Sequence, residues 1–341
     1  MTGKSAVISL ANRIIFLSGT FQQMERRNLL RVGLGAAIGF AVDAQGASQT
    51  TPVIDAHIHL FDTQRPGGVP WPEKTDTIYR PALPDRYASL AKPFGVVGAI
   101  VVEASPLRED NDWVLQLIAH HPIILGLVGN LVPASPSFAG DLERLRVNPL
   151  FLGIRCGNLW KHDLSADARN PAFIADLRRL ASAGLVMDSA NPDPKLIEAI
   201  LGISQQIPEL RIVIDHLPNA SLPNNPDGVR EYWANLKSLS GNPRVFVKLS
   251  EIPTKIDGRV PTEVAYYRQK LDAIWDVFGE DRILFGSDWP NSDHVASYAE
   301  TFAIARDYVT EKGRVAKDKY FNQNSIAAYR WRPRSPDQRA Q

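Results

Sequence analysis

The sequence predicts an α/β chain folded as a single (β/α)8 barrel of the TIM type. Three observations point there. Eight short apolar runs rich in β-branched residues recur along the 341 residues, separated by amphipathic stretches of helical length. The runs are apolar on both faces, as strands of a parallel sheet covered by helices must be, and eight repeats suit a closed ring. No linker or compositional shift divides residues 52–332, so one domain accounts for the stretch. A doubly wound open sheet is the alternative arrangement of the same units.

The first fifty residues read differently. Arg26-Arg27-Asn28-Leu29-Leu30 precedes an apolar Gly/Ala-rich stretch over 32–42 and a small polar run over 43–51. A basic segment, an apolar segment too short to span a bilayer and a small-residue region are the parts of a twin-arginine export signal. The expectation is a leader over 1–46, a barrel over 47–332, and a periplasmic or secreted protein. An incidental arginine pair in a disordered leader, with a cytoplasmic protein, is the alternative. Met24 lies two residues before the pair, so a start at Met1 or at Met24 would supply it.

The first run, 53–61, contains Asp55-Ala56-His57-Ile58-His59. Strand alternation places 55, 57 and 59 on one face, with the histidines nearest the carboxyl end. Barrel enzymes carry their chemistry at the carboxyl ends of strands. Two imidazoles there suit a divalent metal, or a pair of donors aimed at one substrate oxygen. The Pro- and Gly-rich connection 62–84, with Trp71, would lie over the mouth. The second run, 96–104, ends near Glu103; Asp110-Asn111-Asp112 then opens a helix over 113–119, whose end His120 and His121 complement electrostatically. The third run is 123–132.

The fourth, 151–157, carries Arg155, a guanidinium placed to bind a substrate carboxylate or stabilise carbonyl charge, or else to pair at the barrel rim. Cys156 reads as a small packing residue, the alternative being a thiol that its neighbour Arg155 acidifies. Asn170-Pro171 opens a helix over 173–183. The fifth and seventh runs, 184–189 and 245–250, carry Asp188 and Lys248, and the sixth, 211–216, ends in His216. The eighth, 283–288, ends in Asp288, where burial is costly unless a metal, a cation or a donor meets the carboxylate. Capping the following helix is the other reading of Asp288. Glu103, Asp188 and Lys248 rank second, since each could sit in a polar network behind the reacting groups. His162 and His294 fall in loops after the fourth and eighth runs. The stretch 317–331 is expected to close the barrel exterior and 333–341 to be a frayed tail.

Net charge of +1 and the lack of long like-charge runs argue against nucleic acid and for a small-molecule partner. The apolar stretch of the leader is too short for stable membrane insertion. The single cysteine excludes an intrachain disulfide framework and any multi-cysteine zinc or iron–sulfur centre. Composition leaves a homo-oligomer open.

Taken together, Ile54-Asp55-Ala56-His57-Ile58-His59, Val213-Ile214-Asp215-His216, Val247-Lys248-Leu249-Ser250 and Leu284-Phe285-Gly286-Ser287-Asp288-Trp289-Pro290 resemble the amidohydrolase-2 family of TIM-barrel hydrolases, in order and over nearly all of 52–332. His-Leu-Phe-Asp at 59–62, Gly-Ile-Arg at 153–155 and the stretch 324–329 look like its sugar-lactonase and 2-pyrone-4,6-dicarboxylate lactonase branch. The resemblance implies hydrolysis of a lactone or related carboxylic ester, the substrate being anionic or polyhydroxylated. Asp288 would serve as general acid and base, with His216 and Arg155 also catalytic. His57, His59, His216 and Asp288 would hold a divalent metal, zinc by preference, although metal-independent members of the family polarise the carbonyl directly. Three positions depart from the pattern: Cys156-Gly157-Asn158 where His is common, Leu217-Pro218-Asn219 where Gly-Lys-Pro is common, and Glu251 where Gly is usual. These line the substrate side, so the reaction class carries over more readily than the substrate. The rivals are a metal-dependent nonoxidative decarboxylase on the same barrel and a noncatalytic periplasmic binding protein.

Overall fold

The computed structural model describes residues 51–339. The expected leader, its arginine pair and residues 340–341 lie outside the described residues. The strands are β1 (Val53–Ile58), β2 (Val96–Val102), β3 (Ile124–Gly129), β4 (Phe151–Gly157), β5 (Val186–Ala190), β6 (Arg211–Ile214), β7 (Val245–Leu249) and β8 (Ile283–Phe285). They form one eight-stranded sheet in sequence order, every adjacent pair parallel. Between β8 and β1 the ring is drawn together by an isolated parallel bridge, Ile58 to Trp289. His59 N–H donates to Trp289 O and Asp288 N–H to His57 O, both at 2.8 Å. The barrel thus closes beside His57, His59 and Asp288.

Each strand separates two apolar layers, which is why its sequence is apolar on both faces. Ile54, Ile100, Leu125, Leu152, Val213 and Leu284 fill the interior. Outside, Leu177, Ile200, Leu236 and Leu271 press their helices onto the sheet, each with no exposed surface. Asn170, Asp193 and Asn225 cap three of these helices by accepting backbone N–H bonds, each with proline next in sequence. Asp110-Asn111-Asp112, expected just before a helix, forms the first turn of Asp110–Ala119 instead. Among the described residues, no helix is long and apolar enough to cross a membrane.

Six of the eight strands stop short of the apolar runs that predict them. At three of these carboxyl ends the cause is visible: His216, Glu251 and Asp288 adopt left-handed backbone, with φ of 51°, 51° and 61°, as Asn191 does after β5 at 57°. That conformation costs a residue with a Cβ roughly 1–2 kcal/mol. The chain leaves the ladder there and turns these side chains toward the mouth.

The carboxyl-terminal segment corrects two expectations. Tyr329 and Trp331 join the interior cluster rather than the barrel exterior, and the Tyr329 hydroxyl donates to Asp188 Oδ2 at 2.9 Å. Residues 333–339 are not frayed. Arg334 donates to the carbonyls of Ile118, Ala119, His121 and Ile124, and buried Gln338 donates to Val97 O and Pro122 O, both at 2.8 Å. Carbonyls left open at a helix end and a strand start recruit these donors.

Candidate active site

The first strand does not keep its alternation. A register shift between Asp55 and Ile58 breaks the pairing with β2 and separates the acids and bases expected on one face. Asp55 turns to the helix layer, where Tyr87 OH (2.9 Å) and Tyr298 OH (3.2 Å) donate to Oδ2 and Ser287 N–H (2.8 Å) donates to Oδ1. It stitches β1 to β8 and does not face the mouth. His57 turns inward, and at Gly286 an added Cβ would lie 2.8 Å from the Cβ of His57. Only glycine lets the eighth strand approach so closely.

Four of the expected residues converge. Asp288 Oδ1 lies 3.1 Å from His59 Nε2, 3.5 Å from His57 Nε2 and 3.9 Å from His216 Nε2. Burial, helped by nearby Glu251, lifts the Asp288 carboxyl to about 8 against the pull of His216 and of Asn291, whose Nδ2 donates to Oδ2 at 2.7 Å. Burial, then the charge of Arg155, brings His59 down to about 4, so this ring is neutral at pH 7. Its Nδ1 lies 3.0 Å from the Val102 carbonyl, which can only accept, and must therefore carry the proton. His59 Nε2 then presents a lone pair to Asp288. Two acceptors 3.1 Å apart require a proton on the carboxyl or a cation between them.

The metal question turns on the neighbouring ring. His57, His216 and Asp288 offer ligand atoms within 4.8 Å of one another, and His57 Nε2 is buried without a hydrogen-bond partner. This group could hold a metal ion. Behind it, His57 Nδ1 lies 3.1 Å from Lys248 Nζ and 3.5 Å from Asp215 Oδ1. If the ammonium takes the Nδ1 lone pair, Nε2 bears hydrogen and is a donor; if Nδ1–H points to Asp215, Nε2 is free to bind a cation. Burial and Lys248 both hold the His57 ring neutral.

Lys248, Asp188 and Asp215 are fully buried. Burial alone would strip the lysine of its proton, but Asp188 Oδ2 at 2.7 Å and Asp215 Oδ1 at 2.9 Å hold the ammonium. Although burial opposes it, Asp215 stays ionised because Lys248 and His57 adjoin it, while burial raises Asp188 to about 7. Lys248 and Asp188 thus form a polar floor beneath His57 and its neighbours.

Above that floor lies a cavity of about 230 Å³, lined by His59, His216, Asp288, Arg155, Trp71 and Trp160 among others. Arg155 is at its wall, but Nε and Nη2 are committed to Glu103, to Oε1 at 2.8 Å and to the backbone carbonyl at 2.9 Å. Glu103 also accepts from Trp160 Nε1 at 3.1 Å. His162 pairs with Asp167 away from the cavity mouth. His294 ties the loop after β8 to the connection after β1, its Nε2 2.6 Å from Asp76 Oδ1. The Cys156 thiol is pushed up by burial, not acidified by Arg155. Sequence reasoning missed Asp215, Asn191, Asn291 and Trp160, and gave Glu251 only as a departure. For Asp215 the signal was there, as a carboxylate next to His216 at a strand end.

Comparison with known proteins bears on this geometry. A family model described as amidohydrolase matches residues 54–331. An L-fucono-1,5-lactonase of Burkholderia ambifaria is 30% identical over 296 residues, spanning 84% of this chain and 99% of the relative. An amidohydrolase from Burkholderia multivorans solved with bound zinc superposes with a TM-score of 0.73 at 23% identity, over 82% of this chain and 99% of the other. A structure named a probable 2-pyrone-4,6-dicarboxylic acid hydrolase, from Acinetobacter baumannii with citric acid bound, gives 0.64 at 20% identity, over 82% and 100%.

Proposed function

The chain belongs to the amidohydrolase family, and from that premise we propose that it opens a lactone ring by water attack at the carbonyl. One observation carries the reading: three imidazoles converge on a single oxygen of a buried carboxyl at the floor of a mouth cavity. The lactonase relative supports the bond type.

Asp288 is the acid–base group. Ionised, it takes a proton from the attacking water as the water oxygen bonds to the carbonyl carbon; when the ring C–O bond breaks, it returns that proton to the leaving alkoxide. The product hydroxy acid then ionises and releases a proton to solvent. A carboxyl held near 8 does both at neutral pH at modest cost. His57 as the Nε2–H tautomer donates to the carbonyl oxygen, and His216, its Nδ1 2.8 Å from Ser250 Oγ, is oriented to do the same. His59 positions Asp288. Arg155, fixed by Glu103, directs its remaining N–H groups at the developing oxyanion. Where a divalent ion is bound, His57, His59, His216 and Asp288 would hold it, zinc by preference, and it would supply Lewis acidity toward water and carbonyl alike. We further propose that the arginine pair at 26–27 directs export.

The test is a lactone panel followed by proton release, before and after chelation, with metal content measured. One proton should appear for each ring opened. Activity lost with the metal and restored by zinc would support ligation; unchanged activity in metal-free protein would support direct polarisation. Carbon dioxide released from aromatic acids, with lactones untouched, would establish the decarboxylase instead.

A further inference from the structure

The charges around the cavity are poorly suited to an anion. Arg155 is the one permanent cation among the lining side chains, and Glu103 already matches its charge at 2.8 Å. Glu251 faces the same space with a side chain 23% exposed. Its oxygens are steered by neutral amides, Oε2 by Asn219 Nδ2 at 2.6 Å and Oε1 by Asn291 Nδ2 at 3.3 Å. The nearest basic nitrogen, His216 Nδ1, is 3.8 Å away and is also engaged by Ser250. The backbone at Glu251 is left-handed, φ 51°, a conformation glycine would take without strain.

We propose that Glu251 is the charge filter of the site, admitting uncharged lactones whose hydroxyls donate to its carboxylate and turning away lactones that carry a carboxylate of their own. The inference rests on the lactonase reading and specifies its substrate class. It also reassigns Arg155, which sequence alone offers as a reader of substrate carboxylates. With Glu103 in place, Arg155 is already charge-paired and keeps only its remaining N–H groups, for the developing oxyanion, whereas a hydroxyl donor finds an unfilled acceptor in Glu251. A substrate anion brought within about 5 Å of a fixed carboxylate should lose about tenfold to a hundredfold in occupancy.

The experiment compares kcat/KM for D-glucono-1,4-lactone and D-glucaro-1,4-lactone, which share a ring and differ in one hydroxymethyl-to-carboxylate exchange. The wild type should favour the neutral lactone by about tenfold or more. Glu251→Gln, which keeps shape, should cut that preference by about tenfold, chiefly by improving turnover of the carboxylated lactone. Glu251→Gly removes the charge and relaxes the backbone, so the result does not hang on the folding of one variant. If both variants keep the wild-type ratio, the filter is overturned. If the wild type hydrolyses neither compound, the lactonase reading is what fails, and the filter is judged by calorimetry with the corresponding neutral and carboxylated lactams. The variants must then shift relative affinity toward the carboxylated lactam, and no shift, or no binding of either lactam, overturns the filter too.

Discussion

Asp288 carries the most consequential expectations at the scale of single residues. In the proposed mechanism the base is its ionised form, and burial raises its pKa to about 8, so the active fraction grows with pH: kcat/KM should climb between pH 6 and 9 with a midpoint in the region of 8. Asp288→Asn keeps the shape but removes the base, and should cost about 10²–10⁴ in kcat in a protein that still folds. Near-normal turnover by that variant would defeat the mechanism. His57, His59, His216 and Asp288 were legible in the sequence because each is a polar group ending an apolar run. Glu251 and Asn291 were not, since their approach to Asp288 depends on turns at the strand ends that no local pattern encodes. Asp55 was misplaced because alternation presumes an unbroken ladder, and the register shift breaks it. Cys156 packs in the core as its sequence reading has it, and the alternative of an acidified thiol fails because chain neighbours on a strand point to opposite faces, so adjacency to Arg155 does not bring the guanidinium to the thiol.

Among elements, the carboxyl-terminal segment departs furthest from its sequence reading. Arg, Pro, Ser and Asp in short order look like a solvated end, yet Arg334 donates to open carbonyls at the end of the helix Asp110–Ala119 and the start of β3. The partners lie more than two hundred residues away in sequence, beyond the reach of any local pattern. Bonds of this kind contribute about 1 kcal/mol each, more when the donor is charged. Deleting residues 333–341 should therefore lower Tm by about 5–10 °C, while kcat per folded molecule stays close to wild type because none of the described residues 333–339 lines the cavity. An unchanged Tm in differential scanning calorimetry would show that the contacts contribute nothing. The strands themselves were legible from their composition, and their carboxyl ends were overextended because apolar or polar identity does not report where φ turns positive.

At the scale of the whole molecule, eight repeats of strand and helix sufficed to specify the barrel, because a parallel strand buried on both faces has few other homes. The export expectation also belongs here. Replacing Arg26 and Arg27 by lysine should leave the precursor unprocessed in the cytoplasm, and fractionation followed by mass measurement of the mature chain checks it. A wild type that stays cytoplasmic and full length would overturn the signal reading. The seal between β8 and β1 has a consequence for how the enzyme is made. His59 and Asp288, 229 residues apart, meet only when the last strand docks beside the first. A ribosome has therefore produced nearly the entire polypeptide before any catalytic pocket exists, and a chain released early carries histidines with no carboxylate to work on. Activity at birth becomes an all-or-none report that translation has reached the final strand.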